Sequence, residues 1–268
     1  MDKTYFQNFL KSIQDLAEQT KVSYVSAVSL YARFVGNGKP TVDSVHSFLV
    51  KLGEKGYSIS SVNLYLAAIK KFFIVNGLPW DSNIKSKHVN LYETDTPTIY
   101  ITDIKNLVRA TKERGNIVDM SYLALSTIYG LRRGEMAAIT EEDVGKKEST
   151  IHIKTLKGGI ERNHLIPDEI SFIKEYQFDC QSNSSMSLLF AKICLLAGYE
   201  RKDNEGWHAI RRSIDVELFD SDVKPIYLKF FLRWAPKDMS ERYFMQGINP
   251  IIADRKIFEK HPFLPFWR

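Results

Sequence analysis

Apolar positions recur at helical spacing along most of the chain, in blocks separated by Gly, Pro and Asn. Phe6, Phe9, Leu10, Ile13, Leu16 and Ala17 predict an amphipathic helix over residues 4–18. A second opens at Thr20 and runs through Val22, Val25, Val28 and Tyr31 to Phe34, where Gly36-Asn37-Gly38-Lys39-Pro40 stops it. A third follows Thr41 with Val45, Phe48, Leu49 and Leu52, and a fourth runs from Ser60 to Phe73. Four amphipathic helices in succession predict a helical bundle over residues 1–77. The period is lost over residues 78–97, around Pro79 and between Asp81 and Pro97, which reads as a linker.

Residues 98–268 carry a more mixed pattern. Helices are expected near 102–113 and 117–129, the second ending at Gly130. Ile151 and Ile153 on one side of Gly158-Gly159, with Leu165 and Ile166 on the other, predict a β-hairpin. Helical spacing returns over Ser184 to Ala197, residues 207–219, and residues 225–234 with Pro225 in the tolerated first turn. Asp238 can cap a last helix bearing Met239, Tyr243 and Phe244. The predicted class is mainly α with a small β-sheet, in two domains.

Composition narrows the classes. With 44% hydrophobic and 26% charged residues the 268-residue chain is an ordinary globular protein. No apolar run reaches the roughly 18 residues that span a bilayer, and Met1-Asp2-Lys3-Thr4 lacks the apolar core of a signal peptide; no membrane association and a cytoplasmic location are expected. Cys180 and Cys194 are too few for a disulfide framework or a zinc site. The net charge of +5 is unevenly placed: residues 1–90 hold 11 Lys and Arg against 6 Asp and Glu, while the remainder is balanced. An N-terminal half that carries the whole excess suits a domain resting on phosphates, although a merely soluble surface gives the same sum.

The candidate chemistry lies in three places. Gly130-Leu131-Arg132-Arg133-Gly134-Glu135 follows the break after the second helix of this half. Lys154 and Lys157 lead into the Gly158-Gly159 turn, with Arg162 on the returning strand. Trp207-His208-Ala209-Ile210-Arg211-Arg212 puts His208 and Arg211 three apart, on one helical face, and Arg233-Trp234 is followed nine residues on by Tyr243.

This ordered set resembles the motifs of the tyrosine recombinases, or phage integrases, and is similar to compact archaeal and mobile-element Xer-type members. The resemblance implies a helical core-binding, DNA-binding domain at residues 1–77 and a catalytic domain with a C-terminal tail at 98–268. It implies a site-specific recombinase that cuts and rejoins DNA through a 3′-phosphotyrosine intermediate, needing no metal, nucleotide or other cofactor. Carried over residue by residue, Arg132 and Arg211 match the two phosphate-holding arginines, Lys157 the hairpin general acid, His208 the first histidine, Trp234 the later His-or-Trp position and Tyr243 the nucleophile. Lys154 competes with Lys157 for the hairpin role, and Glu135 reads as a structural partner of Arg132 at i,i+3. The chain departs from many members at Arg212, where His is usual, and at Arg233, where Gly is usual. The implied partners are double-stranded DNA recombination sites, clamped between the two domains, and further copies of the chain, as a tetramer on two sites and a monomer or dimer when free. The alternatives are a non-catalytic DNA-binding relative of the same fold and a nicking enzyme of the type IB topoisomerase kind. The apolar stretch from Phe244 to Arg268 must be covered by something, and it is expected to pack on a neighbouring subunit when DNA is bound; folding back on its own domain is the other reading.

Overall fold

The computed structural model describes residues 3–89, 97–155 and 158–268. The chain divides into two compact units, Met1–Thr94 and Asp95–Arg268.

The first unit contains α1 (Lys3–Ser12), α2 (Glu18–Val35), α3 (Val42–Glu54) and α4 (Ile59–Val75). α1 stops earlier than its apolar spacing predicts: the Ser12 hydroxyl donates back to the Phe9 carbonyl at 2.7 Å, and Glu18 starts a fresh helix. The α3 start is held reciprocally by Thr41 and Ser44, and α4 by Ser58 on the Ser61 amide. Phe9, Tyr31, Phe48, Phe72 and Phe73 interlock edge-to-face in the core. Part of the stretch read as a linker dresses this bundle: the Trp80 ring lies 5.5 Å from Phe73, Ile84 is buried, and Asn63 exchanges two hydrogen bonds with the Lys87 backbone.

The second unit is built on α6 (Ile117–Tyr129), buried along almost its whole length and preceded by α5 (Ile101–Arg114). The Asn116 side chain caps α6 through the Val118 and Asp119 amides. A short α7 (Arg133–Ala137) leads to an antiparallel sheet of β1 (Val144–Gly145), β2 (Thr150–Ile153) and β3 (Arg162–Leu165). The predicted hairpin is β2–β3, with Thr150 opposite Leu165 and Ile153 opposite Arg162; β1, only two residues long, is too short to leave a periodic signal. Then come α8 (Asn183–Leu196), α9 (Trp207–Asp220), α10 (Pro225–Phe231), α11 (Met239–Gly247) and α12 (Pro250–Phe258). α10 ends three residues before the predicted Trp234. Arg233 there has φ +58°, its amide donates to Phe230 and that of Trp234 to Lys229, the paired bonds that close a helix through a left-handed residue.

From Ala253 onward the C-terminal tail docks in cis, on its own unit, as in the second of the two readings. Asp254, Ile257, Phe263, Leu264 and Trp267 are buried. Asp254 meets Arg162 at 2.5 Å and the Leu165 amide at 2.8 Å, His261 lies 2.9 Å from the Ile128 carbonyl, and the Trp267 indole donates to Thr127 at 3.0 Å. The apolar area alone required only some cover; these polar anchors select this one, because each would otherwise be buried unpaired.

One pH prediction follows from the tail. His261 is buried and neutral: Nε2–H donates to Ile128 while Nδ1 accepts from the Phe263 amide at 3.2 Å. Burial pushes its pKa down to about 4, and that of the equally buried His164 down to about 3. The unfolded chain therefore binds protons first, so stability complete above about pH 6.5 is lost as pH falls toward those values. By pH 5 the loss is about 2 kcal/mol for His261 alone. Thermal melting should decline from pH 7 to 5, above the range where carboxylates titrate; a flat profile there would refute the assignment.

Candidate active site

Gly130 is the pivot of the site. It ends α6 at φ +58°, and a Cβ there would meet Leu232 at 3.0 Å and the Arg211 stem at 3.3 Å. Only glycine satisfies both the backbone and the approach of that arginine. The turn places Arg132 immediately before α7, where Glu135 reaches back to its amide at 2.9 Å and to its guanidinium at 2.6 Å. Glu135 is buried while the Arg132 side chain keeps 28% of its surface, so the acid holds the cation at the site's edge without removing it from solvent. This is the i,i+3 pair that the spacing predicts.

Arg211, on α9, is 3% exposed. One Nη donates to the Gly130 carbonyl at 2.6 Å and the other to the Leu232 carbonyl. It thus ties the turn before Arg132 to the end of α10, just ahead of Trp234. Burial lowers its pKa to about 9, with Arg233 and Arg132 adding repulsion, which still leaves it charged at neutral pH. Five N–H groups on a guanidinium leave donors to spare after two such bonds. Arg212 is spent elsewhere, donating to the Pro97 carbonyl at 2.6 Å.

The other candidates are placed less closely. His208 starts α9 on its exposed face, whereas Arg211 one turn on points inward; the shared spacing does not put both at one depth. Trp234 is half-buried against the core. Lys157 lies outside the described residues. Lys154 is committed to Asp143 at 2.8 Å, and this bond raises its pKa, making it a poorer proton donor at neutral pH. Tyr243, on α11, is 65% exposed and lines an open pocket with Tyr227, Ser240, Phe244, Ile248 and Ile252. Among the described residues no hydrogen bond joins it to the arginines.

Buried groups surround this cluster, of which the sequence pattern offers Arg162 and marks Arg233 as a departure but does not point to His164 or Asp254. Arg233 is wholly buried and pairs with Glu135 at 3.2 Å. Behind it His164 faces Asp254 at 3.3 Å, and Arg162 stacks on Phe230, 4.3 Å from the ring centroid. The sequence signal for Asp254 is weak, an acid at i−3 from Ile257 in a tail that also carries Arg255, Lys256, Glu259 and Lys260.

Comparison with known proteins agrees with this architecture. Residues 4–75 match the family model described as phage integrase, N-terminal SAM-like domain. Over 153 residues the chain is 29% identical to tyrosine recombinase XerA of Pyrococcus horikoshii, covering 57% of this chain and 52% of the relative. These similarities are to tyrosine recombinases and to the N-terminal domain of phage integrases. The chain's alignments span about half the length of the curated relatives it matches. Among solved structures, a lambda integrase(75-356) dimer bound to a COC′ core site superposes with a TM-score of 0.69 at 13% identity, covering 92% of this chain and 96% of that one. A lambda integrase tetramer bound to a Holliday junction gives 0.68 at 12% identity, covering 92% and 78%. At such identities the likeness is one of fold: a helical chain with a small sheet.

Proposed function

We propose that this chain is a site-specific DNA recombinase that cuts and rejoins strands through a 3′-phosphotyrosine intermediate. The observation that carries this reading is the convergence of Arg132 and Arg211 about the Gly130 turn, both cationic and both with unused donors. Two guanidiniums side by side suit the non-bridging oxygens of a phosphodiester, whose charge grows in the transition state. Tyr243 Oη would attack phosphorus and the bond to the 5′ oxygen would break. The leaving oxygen takes a proton from Lys157, and the phenolic proton passes to His208. Trp234 can only donate, through its indole N–H, to a phosphate oxygen. Religation is the reverse, with a 5′ hydroxyl attacking the phosphotyrosine.

The DNA-binding role falls to residues 1–77 with their excess positive charge, and the chemistry to residues 98–268. The lambda integrase tetramer on a Holliday junction supports four copies acting on two duplexes. No helix among the described residues is long and apolar enough to cross a membrane, and the work proposed belongs in the cytoplasm, beside the DNA. The test is capture from a pool of nicked duplexes with randomised cores. A covalent adduct should form without metal or nucleotide, and its peptide should map to Tyr243 with the DNA joined at a 3′ phosphate. Duplex binding with no adduct would leave a binding protein, and relaxation of supercoiled plasmid without exchange would indicate a topoisomerase.

A further inference from the structure

We propose that Arg233 is a positioning residue of this site: its buried guanidinium holds Glu135, and through it Arg132, in register with the phosphate. The inference rests on the function proposed above. Its starting point is a misfit. Arg233 occupies the left-handed position that closes α10, where glycine is ordinarily favoured and a side chain is strained. Its side chain then enters the core, where no solvent repays its hydration. A long cation kept in such a place is held by its contacts.

Those contacts all lead to the site. Nη2 donates to Glu135 Oε2 at 3.2 Å, and Nη1 to the Tyr129 carbonyl at 3.1 Å, one residue before Gly130. Nη1 also reaches the Phe231 carbonyl at 3.2 Å and His164 Nε2 at 3.3 Å. The same Glu135 serves Arg132 through Oε1 on its guanidinium and Oε2 on its amide. One buried carboxylate is thus shared by an inner and an outer guanidinium, and the inner one fixes the carboxylate from which the outer one hangs. The Arg233 backbone acts on the hairpin as well. Its carbonyl accepts from the Ile160 amide at 3.3 Å, and a Cβ on Gly159 would clash with that oxygen, so Gly159 and Ile160 pass directly over it.

Electrostatics agrees with the geometry. Burial works to raise the Glu135 carboxyl, but Arg233 and Arg132 outweigh it and keep the group below its ordinary value. The charged or titratable groups facing it are Arg132 before α7, Arg233 after α10 and Arg211 on α9. Behind Arg233 stand His164 and Arg162 of β3 with Asp254 of α12. Without Arg233 the carboxyl must titrate higher, and once protonated it releases the charge that steadies Arg132.

The experiment uses the full chain as wild type, Arg233→Met, Arg233→Gly and Arg233→Lys. Guanidinium nitrogen NMR signals of Arg132, assigned by their loss in Arg132→Lys, report how firmly it is held and require no activity. Single-turnover adduct formation on a nicked duplex recovered from the randomised pool reports the consequence. Met and Gly should loosen the Arg132 signals and slow adduct formation about 10- to 100-fold, with duplex retention within about threefold. Their rates should fall toward acid with a midpoint above the wild type's, and Lys, which restores one cation, should recover much of both. Gly also relieves the backbone, so it keeps the test valid if Met fails to fold. Unchanged Arg132 signals in Met or Gly would overturn the proposal. So would losses that track melting temperature in all three variants with no change in pH profile, which is the mark of packing alone. If the wild type forms no adduct, the functional reading fails, and the Arg132 signals still decide whether Arg233 positions it.

Discussion

Tyr243→Phe is expected to abolish covalent capture of DNA while leaving folding and duplex retention intact. The substitution removes one oxygen from a side chain that is 65% exposed and bonded to no arginine among the described residues. Stability should therefore change by no more than about 0.5 kcal/mol. Capture is another matter. Phenylalanine has no atom that can attack phosphorus, and deleting a nucleophile ordinarily costs on the order of 10⁴-fold or more. The check is a nicked duplex on which wild type accumulates an adduct resistant to denaturation. An adduct persisting in the Phe variant would move the chemistry elsewhere, with Tyr227 the first alternative because it shares the pocket.

Removing residues 250–268 should unfold the second unit. This segment supplies Ile257, Phe263, Leu264 and Trp267 to a single continuous core, together with the carboxylate of Asp254. Without Asp254 the buried Arg162 loses its ion pair, and the Leu165 amide loses its acceptor. Breaking a buried pair from one side costs about 3–5 kcal/mol, against a total domain stability of about 5–15 kcal/mol. Asp254→Ala alone should then lower the melting of this unit markedly, and truncation should eliminate its transition. The bundle of α1 to α4, with its own separate core, should keep its transition. A truncated chain that melts as the wild type does would show that the cis contacts contribute little, and would return the tail to a neighbouring subunit.

The helices and the hairpin were legible because each has a face to bury, and a buried face writes its period into the residues. So the helix expected near 117–129 is Ile117–Tyr129, stopped at Gly130, while the reading of α10 runs three residues too long because apolar spacing continues past Phe231 into Leu232 and Trp234. Arg132, Arg211 and Tyr243 could be singled out because their order and spacing resemble a known set of motifs. Their depths could not be, since a guanidinium in the core and one on the surface are the same letter.

What only the tertiary structure decided is which charges meet. Arg233, Glu135, Asp254 and the strand neighbours Arg162 and His164 come from four separate stretches, and no local period links the four. The sequence by itself determined that residues 244–268 carry too much apolar surface to stay in water. It left open which surface covers them, because hydrophobic burial has no direction. The direction comes from hydrogen bonds and ion pairs that must be satisfied once water is excluded, and those partners exist only after the chain has folded.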